Sequence, residues 1–212
     1  MNRKPFRRAT DAERRDDLIV ATLDCIAEGG LASATVRQVA ERAGVSGGLI
    51  RHYFASKDLL LQAAYRRIMG RMTAIACDAA DVGETPADRL RAFIVASLSP
   101  PMIDARMLGL WAAFIAQVRV DPAMEAIHRE AYVEFRSAIE IILADAFAAA
   151  GRPVGAAECR RLATRINAVL DGLWLEGCLA HSLFNDEELK EAGIESVEAI
   201  TGIGLKQDHV RE

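Results

Sequence analysis

The chain has 212 residues, 51% hydrophobic and 26% charged, which is enough apolar material for a core and too much for a disordered chain. Its formal charge of −4 excludes a protein coated in basic charge, but the charge is uneven: residues 1–67 hold 12 Lys and Arg against 8 Asp and Glu, and the remainder holds 14 against 22. A polyanionic partner is therefore expected at the N-terminal end. Four cysteines (Cys25, Cys77, Cys159, Cys178) stand far apart with no Cys-x-x-Cys pair. With no clustered His, that spacing gives no zinc signature and predicts reduced thiols, and neither a metal nor a cofactor is expected. The first fifteen residues carry six basic side chains, but the uninterrupted apolar stretch and cleavage site of a secretory leader do not follow, and no apolar run reaches the ~18 residues of a membrane span. A cytoplasmic location is expected.

Apolar residues recur at helical spacing almost throughout, so the expected fold is all-α with about nine helices, short ones first and long ones after. A first helix over 11–28 has the inward stripe Leu18, Thr22, Cys25, Ile26 and Gly29, and Gly29-Gly30 stops it. Thr35 N-caps a short helix through Ala43, Gly44 breaks it, and Ser46 caps another that ends near Tyr53. Ser56 caps a longer helix with the stripe Leu60, Leu61, Ala64, Tyr65, Ile68 and Met72. After a break at 83–86 come helical stretches over 86–98, 103–119, 122–150 and 156–182, separated by Pro100-Pro101, Asp121-Pro122 and Gly151-Arg152-Pro153. The tail from Asn185 is acidic and then Gly-rich, and is expected to be only partly ordered.

The informative stretch is Thr35 to Lys57, TVRQVAERAGVSGGLIRHYFASK. Val36, Val39, Ala40, Val45, Ile50 and Tyr53 are spaced so that two short helices pack steeply across a turn at Ala43-Gly44-Val45. Such a pair presents its second helix outward, sized for the major groove of B-DNA. Ser46, Gly47 and Gly48 open that helix with little bulk, leaving backbone N–H groups near phosphates or base edges. Leu49 suits a thymine methyl, and Arg51 a guanine edge or a phosphate. His52, Tyr53, Lys57, Thr35 and Arg37 suit phosphates, and the arm residues Arg3, Lys4, Arg7 and Arg8 suit the backbone or the minor groove. On geometry alone other readings stay open. A helix pair with a Gly turn occurs in many helical proteins, and Tyr53 and Phe54 also suit closing a small core.

The segment resembles the DNA-binding domain of the TetR family of bacterial repressors. The matching residues are Ala27-x-x-Gly30, Thr35-Val36-Arg37, Val39-Ala40-x-x-Ala43-Gly44-Val45-Ser46, Gly48, Ile50, Phe54, Lys57 and Leu59-Leu60, within roughly residues 14–67. The order His52-Tyr53-Phe54 is similar to the subgroup of choline-responsive (BetI-like) repressors of glycine-betaine synthesis, whereas Arg51 departs from the family's usual residue. The resemblance implies a ligand-responsive repressor that binds a palindromic double-stranded operator as a homodimer. It also implies a head over 1–56, an effector-binding and dimerisation body over 57–212, and a long helix from about Lys57 joining them. In the body the subgroup is matched in pieces, chiefly Leu110-Trp111-x-x-Phe114 and Leu170-Asp171-Gly172-Leu173-Trp174-Leu175.

Read bottom-up, Trp111, Phe114 and Val118 share one helical face, and Asn167, Asp171, Trp174 and Cys178 another, with Phe93, Tyr132 and Phe135 as further aromatics. Aromatic faces beside one carboxylate, from Asp171 or Glu176, suit a quaternary ammonium, which accepts cation–π attraction but donates no hydrogen bond. The effector residues expected are thus Phe93, Trp111, Phe114, Tyr132, Asn167, Asp171 and Trp174. The bland alternative is that this stripe is core and dimer seam. Ile127, Ala131, Ile139, Ala146, Leu162, Ile166, Val169 and Leu173 suit either, and an unrelated apolar ligand or no effector also stays open. No nucleophile elbow, phosphate loop or metal spacing occurs, His128 and His181 are isolated, and the Glu-rich span 187–198 reads as a solvated face, so no enzyme is expected.

Overall fold

The structure, a computed structural model, describes residues 10–180 and 183–205. The arm residues Arg3, Lys4, Arg7 and Arg8, and His181, lie outside the described residues. Those described form nine α-helices and one 3₁₀ turn (Leu31–Ser33), with no strand among them. The helices are α1 (Asp11–Gly29), α2 (Val36–Arg42), α3 (Gly47–Tyr53), α4 (Lys57–Ala80), α5 (Pro86–Ser97), α6 (Ala105–Val118), α7 (Pro122–Ala149), α8 (Ala156–Leu179) and α9 (Asp186–Thr201). The chain divides into two compact units. One gathers residues 10–68 and 109–127, the other 69–108 and 128–205. The helices α4, α6 and α7 each contribute residues to both.

In the first unit, α1 starts where the Thr10 hydroxyl accepts from the Glu13 N–H and the Glu13 carboxylate accepts from the Thr10 N–H. This capping box satisfies two donors that a helix start leaves unpaired, and it holds the Glu13 pKa below the usual carboxylate range. Leu18, Ile19, Thr22, Cys25 and Ile26 form the buried face of α1. Gly29, expected in that stripe, is exposed instead, because the helix is ending there. A Cβ at Gly29 would stand 2.8 Å from that of Ser33, whose hydroxyl donates to the carbonyls of Cys25 and Gly30. The core of this unit includes Tyr65 of α4 stacked on Phe114 of α6, with ring centroids 4.8 Å apart. Both side chains are fully buried, and burial pushes the Tyr65 phenol up to about 12.

In the second unit α5 begins with a Thr85–Asp88 capping box and Pro86 in its first turn, and α9 packs against both α5 and α8. Residues 206–212 lie outside the described residues, and within the tail expected to be only partly ordered Asp186–Thr201 form the regular helix α9. Asn185 caps it through the N–H groups of Glu187 and Glu188, while Glu188 returns a bond to the Asn185 N–H. Glu187, Glu188, Glu191 and Glu195 are exposed on α9. Leu189, Ile194 and Val197 turn inward, followed by Ile203 and Leu205, all buried. The helical spacing of these few apolar residues is hidden in composition by the glutamates around them. Close approach is needed at Gly193, where a Cβ would lie 2.4 Å from Leu98 Cδ1 and 3.0 Å from Ile94 Cγ2. At Gly177 a Cβ would meet Ile103 and Leu189 Cδ1 atoms, each at 2.8 Å.

Of the residues offered for core or seam, Ile127, Ala131, Ile139, Ala146, Leu162 and Ile166 are buried within the single chain, and Val169 and Leu173 are half-buried. The outward face of α8 instead carries Ala168, Gly172, Leu175 and Leu179, at helical spacing and exposed; Val133 and Ile141 are exposed on α7.

Candidate nucleic-acid interface and effector site

The short helices α2 and α3 have seven residues each, too few for stability alone. Local chemistry at both ends holds them. The Thr35 hydroxyl accepts from the Gln38 N–H and that of Ser46 from the Leu49 N–H, which caps the two helix starts. Between the helices Gly44 takes φ +65°, the left-handed region that favours glycine, and Gly44 N–H and Val45 N–H donate to the carbonyls of Glu41 and Ala40. These two bonds form a Schellman stop, which ends α2 and turns the chain into α3 within four residues. Val39, Ala40 and Ile50 are buried between the helices, and a Cβ on Gly47 would sit 3.5 Å from Val36.

Packing those apolar residues inward leaves Thr35, Arg37, Ser46, Gly48, Arg51 and His52 exposed, with Gly47, Leu49, Tyr53 and Lys57 half-buried. All ten lie in the first unit. Tyr53 is committed at both ends. Its hydroxyl donates to Asp11 Oδ1 at 2.9 Å, which raises the phenol pKa, and its ring meets His52 edge-on at 5.1 Å. Phe54 is buried with the Arg15 guanidinium 4.8 Å over its ring, and the Ser56 hydroxyl accepts from the Leu59 N–H at the start of α4. Arg42 pairs with Glu28 and so braces α2 on α1.

The residues expected to hold an effector divide between the units. Phe114 and Trp111 belong to the first, Phe114 as the buried stacking partner of Tyr65 and Trp111 half-buried. Phe93, Tyr132, Asn167, Asp171 and Trp174 belong to the second, where three of them meet. Asn167 Nδ2 donates to Asp171 Oδ2 at 2.8 Å, and Tyr132 also hydrogen-bonds the Asp171 carboxylate. Asp171 is exposed, yet the protein around it removes enough water to raise its pKa, against the opposing pull of Tyr132, Asn167 and Arg136. Phe93 is fully buried with Phe135 at 5.0 Å, and Trp174 is fixed by its indole N–H, which donates to the Met102 carbonyl at 2.8 Å. Glu176, the other carboxylate considered, is exposed.

Two neighbours of this cluster escaped the sequence reading. His128 lies 4.3 Å from the Tyr132 ring, and burial holds its pKa below the ordinary histidine value. Arg136 Nε donates to the Tyr132 carbonyl at 3.1 Å. The signal was their spacing, since His128, Tyr132 and Arg136 recur every four residues along α7. Among the described residues no group of His, Cys, Asp and Glu is arranged to hold a metal, and no helix is long and apolar enough to cross a membrane.

Comparisons with known proteins match two families along the chain. The family described as bacterial regulatory proteins of the tetR family matches residues 18–64, and that described as the BetI-type transcriptional repressor, C-terminal, matches 86–202. The HTH-type transcriptional regulator BetI of Stenotrophomonas maltophilia (strain R551-3) is 32% identical over 183 residues, which cover 86% of this chain and 90% of the relative. A solved transcriptional-regulator structure from Pseudomonas aeruginosa PAO1 superposes with a TM-score of 0.78 at 33% identity, covering 91% of this chain and 93% of that one. A regulator from Saccharomonospora viridis, solved in complex with choline, shares the fold with a TM-score of 0.72 at 19% identity, covering 89% and 97%.

Proposed function

This chain belongs to the TetR family of transcriptional regulators, with a BetI-type C-terminal region, and from that premise we propose that it represses by binding a palindromic operator as a homodimer and releases it when a small effector, choline or a related quaternary ammonium, enters the C-terminal body. The observation that carries the DNA reading is the capped α2–turn–α3 unit. It holds Arg37, Ser46, Gly48, Arg51 and His52 outward on a rigid frame. Arg51 and Leu49 serve base edges; Thr35, Arg37, His52 and Lys57 serve phosphates, and the Gly47-Gly48 start lets the backbone approach closely. Tyr53, whose hydroxyl is engaged with Asp11, contributes by fixing α3 on α1 and contacts DNA only at its ring edge.

For the effector, the Asp171 carboxylate is the anchor. Partial desolvation raises its pKa, and a cation brought beside it supplies the opposite charge that favours the ionised carboxylate. Tyr132 and Trp174 supply aromatic surface, and Asn167 orients the carboxylate. The choline complex of the Saccharomonospora viridis protein is the reason to test choline first. Homodimerisation is supported by the exposed α8 face of Ala168, Gly172, Leu175 and Leu179. Added atoms at Gly172 meet nothing within 4 Å in one chain, so a second helix has room to approach.

Release works by population shift. Two recognition helices must stand about 34–36 Å apart to enter successive major grooves, and an effector that prefers another spacing draws the dimer off DNA. A coupling of about 1–3 kcal/mol is ordinary for such linkage. The helix α4 is the proposed lever, as one continuous helix from Lys57 that contributes residues to both units.

A mobility-shift assay with DNA from upstream of the protein's own gene, at fixed salt, tests this directly. Retardation that disappears on adding choline or betaine aldehyde supports the whole proposal. Retardation indifferent to both removes the quaternary-ammonium assignment, and a lack of any sequence-selective retardation removes the operator reading.

A further inference from the structure

Beside α3 the first unit holds a groove of about 760 Å³ between α1, the end of α3 and the outer side of α4. Its charge is one-sided. Arg15, Arg51, His52, Arg66 and Arg67 line it against the single carboxylate of Asp16. That carboxylate is engaged, since Arg67 donates to both of its oxygens at 3.1 and 3.2 Å. The Arg15 guanidinium is held over the Phe54 ring, so one wall charge is positioned rather than loose. Arg51, His52 and Arg66 are exposed.

We propose that this groove holds the sugar–phosphate backbone of duplex DNA lying beyond the segment that α3 reads, so that the head binds a longer and curved stretch of DNA. The inference rests on the operator-binding reading above. Continuity with α3 favours DNA as the occupant, because Arg51 and His52 belong both to the outward face of the recognition helix and to the groove wall. Arg66 stands nine residues beyond Lys57, about 13 Å further along α4 at ~1.5 Å per residue. A phosphate that reaches Arg66 while α3 stays in the major groove therefore comes from flanking DNA bent toward the head. Guanidinium groups suit this task, since their fork of donors matches phosphate oxygens and carries no preference for base sequence. Smooth bending of flanking DNA is opposed elastically and favoured by each added phosphate contact.

The test uses the full-length chain and two duplexes, the palindrome alone and the same palindrome extended by about one helical turn, ~10 base pairs, on each side. The slope of log Kd against log salt is measured for wild type, Arg66→Ala and Arg66→Lys. Wild type is expected to show the steeper slope on the longer duplex. Arg66→Ala should lose about 0.9 in slope for each phosphate given up, on the longer duplex only, and Arg66→Lys should regain it. Arg66 is exposed, so the substitutions leave the core untouched. Equal wild-type slopes on both duplexes, or an unchanged slope for Arg66→Ala on the longer one, overturns the groove while leaving operator binding in place. Failure of the wild type to bind either duplex overturns the operator reading and the groove together.

Discussion

The two units of this protein are held by different means. In the first, α2 and α3 are seven-residue helices whose ends are set by Thr35, Ser46 and the left-handed Gly44, with the Arg42–Glu28 pair and the Tyr53–Asp11 bond tying them to α1. In the second, α8 runs for 24 residues, and α9 closes onto α5 and α8 through close approaches at Gly193 and Gly177. The short helices α2 and α3 are set at their ends by polar bonds between residues a few positions apart and tied to α1 by two longer-range polar pairs, whereas α9 is held by apolar contacts between residues far apart. A reading head needs a fixed angle between two short helices, which caps and a Schellman turn supply. On the function proposed above, a body that changes state when a ligand enters is served by packing, which can have two arrangements of similar energy.

The largest expected effect comes from the apolar core of the first unit. Phe114→Ala empties the site that stacks on Tyr65 and should destabilise by about 3–5 kcal/mol. Trp111 reports on the first unit and Trp174 on the second, so single-tryptophan versions show by fluorescence whether the loss is confined to one. Coincident transitions in both would break the comparison, since the units would then unfold as one.

Gly193→Val comes next. Its Cβ collides with Leu98 Cδ1 and crowds Ile94 Cγ2, so these buried side chains or α9 itself must shift, at a cost of about 1–3 kcal/mol. Denaturant melts should register that cost, while operator affinity measured well below the melting temperature stays near wild type. A loss of affinity as large as that of a head variant would show that α9 controls the head.

Thr35→Ala removes one cap and should cost about 1 kcal/mol, with weaker operator binding because α2 frays where it presents Arg37. Thr35→Ser, which keeps the hydroxyl, should restore both quantities; failure to do so would locate the effect in the lost methyl group.

The smallest expected effect is one of pH in the body. Burial holds the His128 pKa below its ordinary 6.5. As pH falls through that ordinary value, the unfolded chain takes up a proton that the fold resists, so stability declines until the folded pKa is passed. Melting curves from about pH 7 down to about pH 5 should therefore fall less steeply for His128→Gln than for wild type. Parallel curves would show that the imidazole reaches water easily.

The amino-acid sequence by itself determined the all-helical fold, the positions of Gly44, Thr35, Ser46 and Ser56 at helix ends, and the outward set on α2 and α3. It could do so because these depend on neighbours within four residues, and a cap or a glycine acts wherever it stands. Tertiary structure alone decided which of many apolar residues face inward. It buried Ile139 and Ile166, left Leu175 and Leu179 exposed, ordered α9 beneath its glutamates, and turned the Trp174 N–H to the Met102 carbonyl, 72 positions away. It also brought Tyr132 and Arg136 of α7 to Asp171 of α8, while Phe114 and Trp111 went to the other unit. The reason is range. Burial is a property of the surface a neighbouring helix covers, and helices distant in sequence share no periodic signal that says which of their faces will meet.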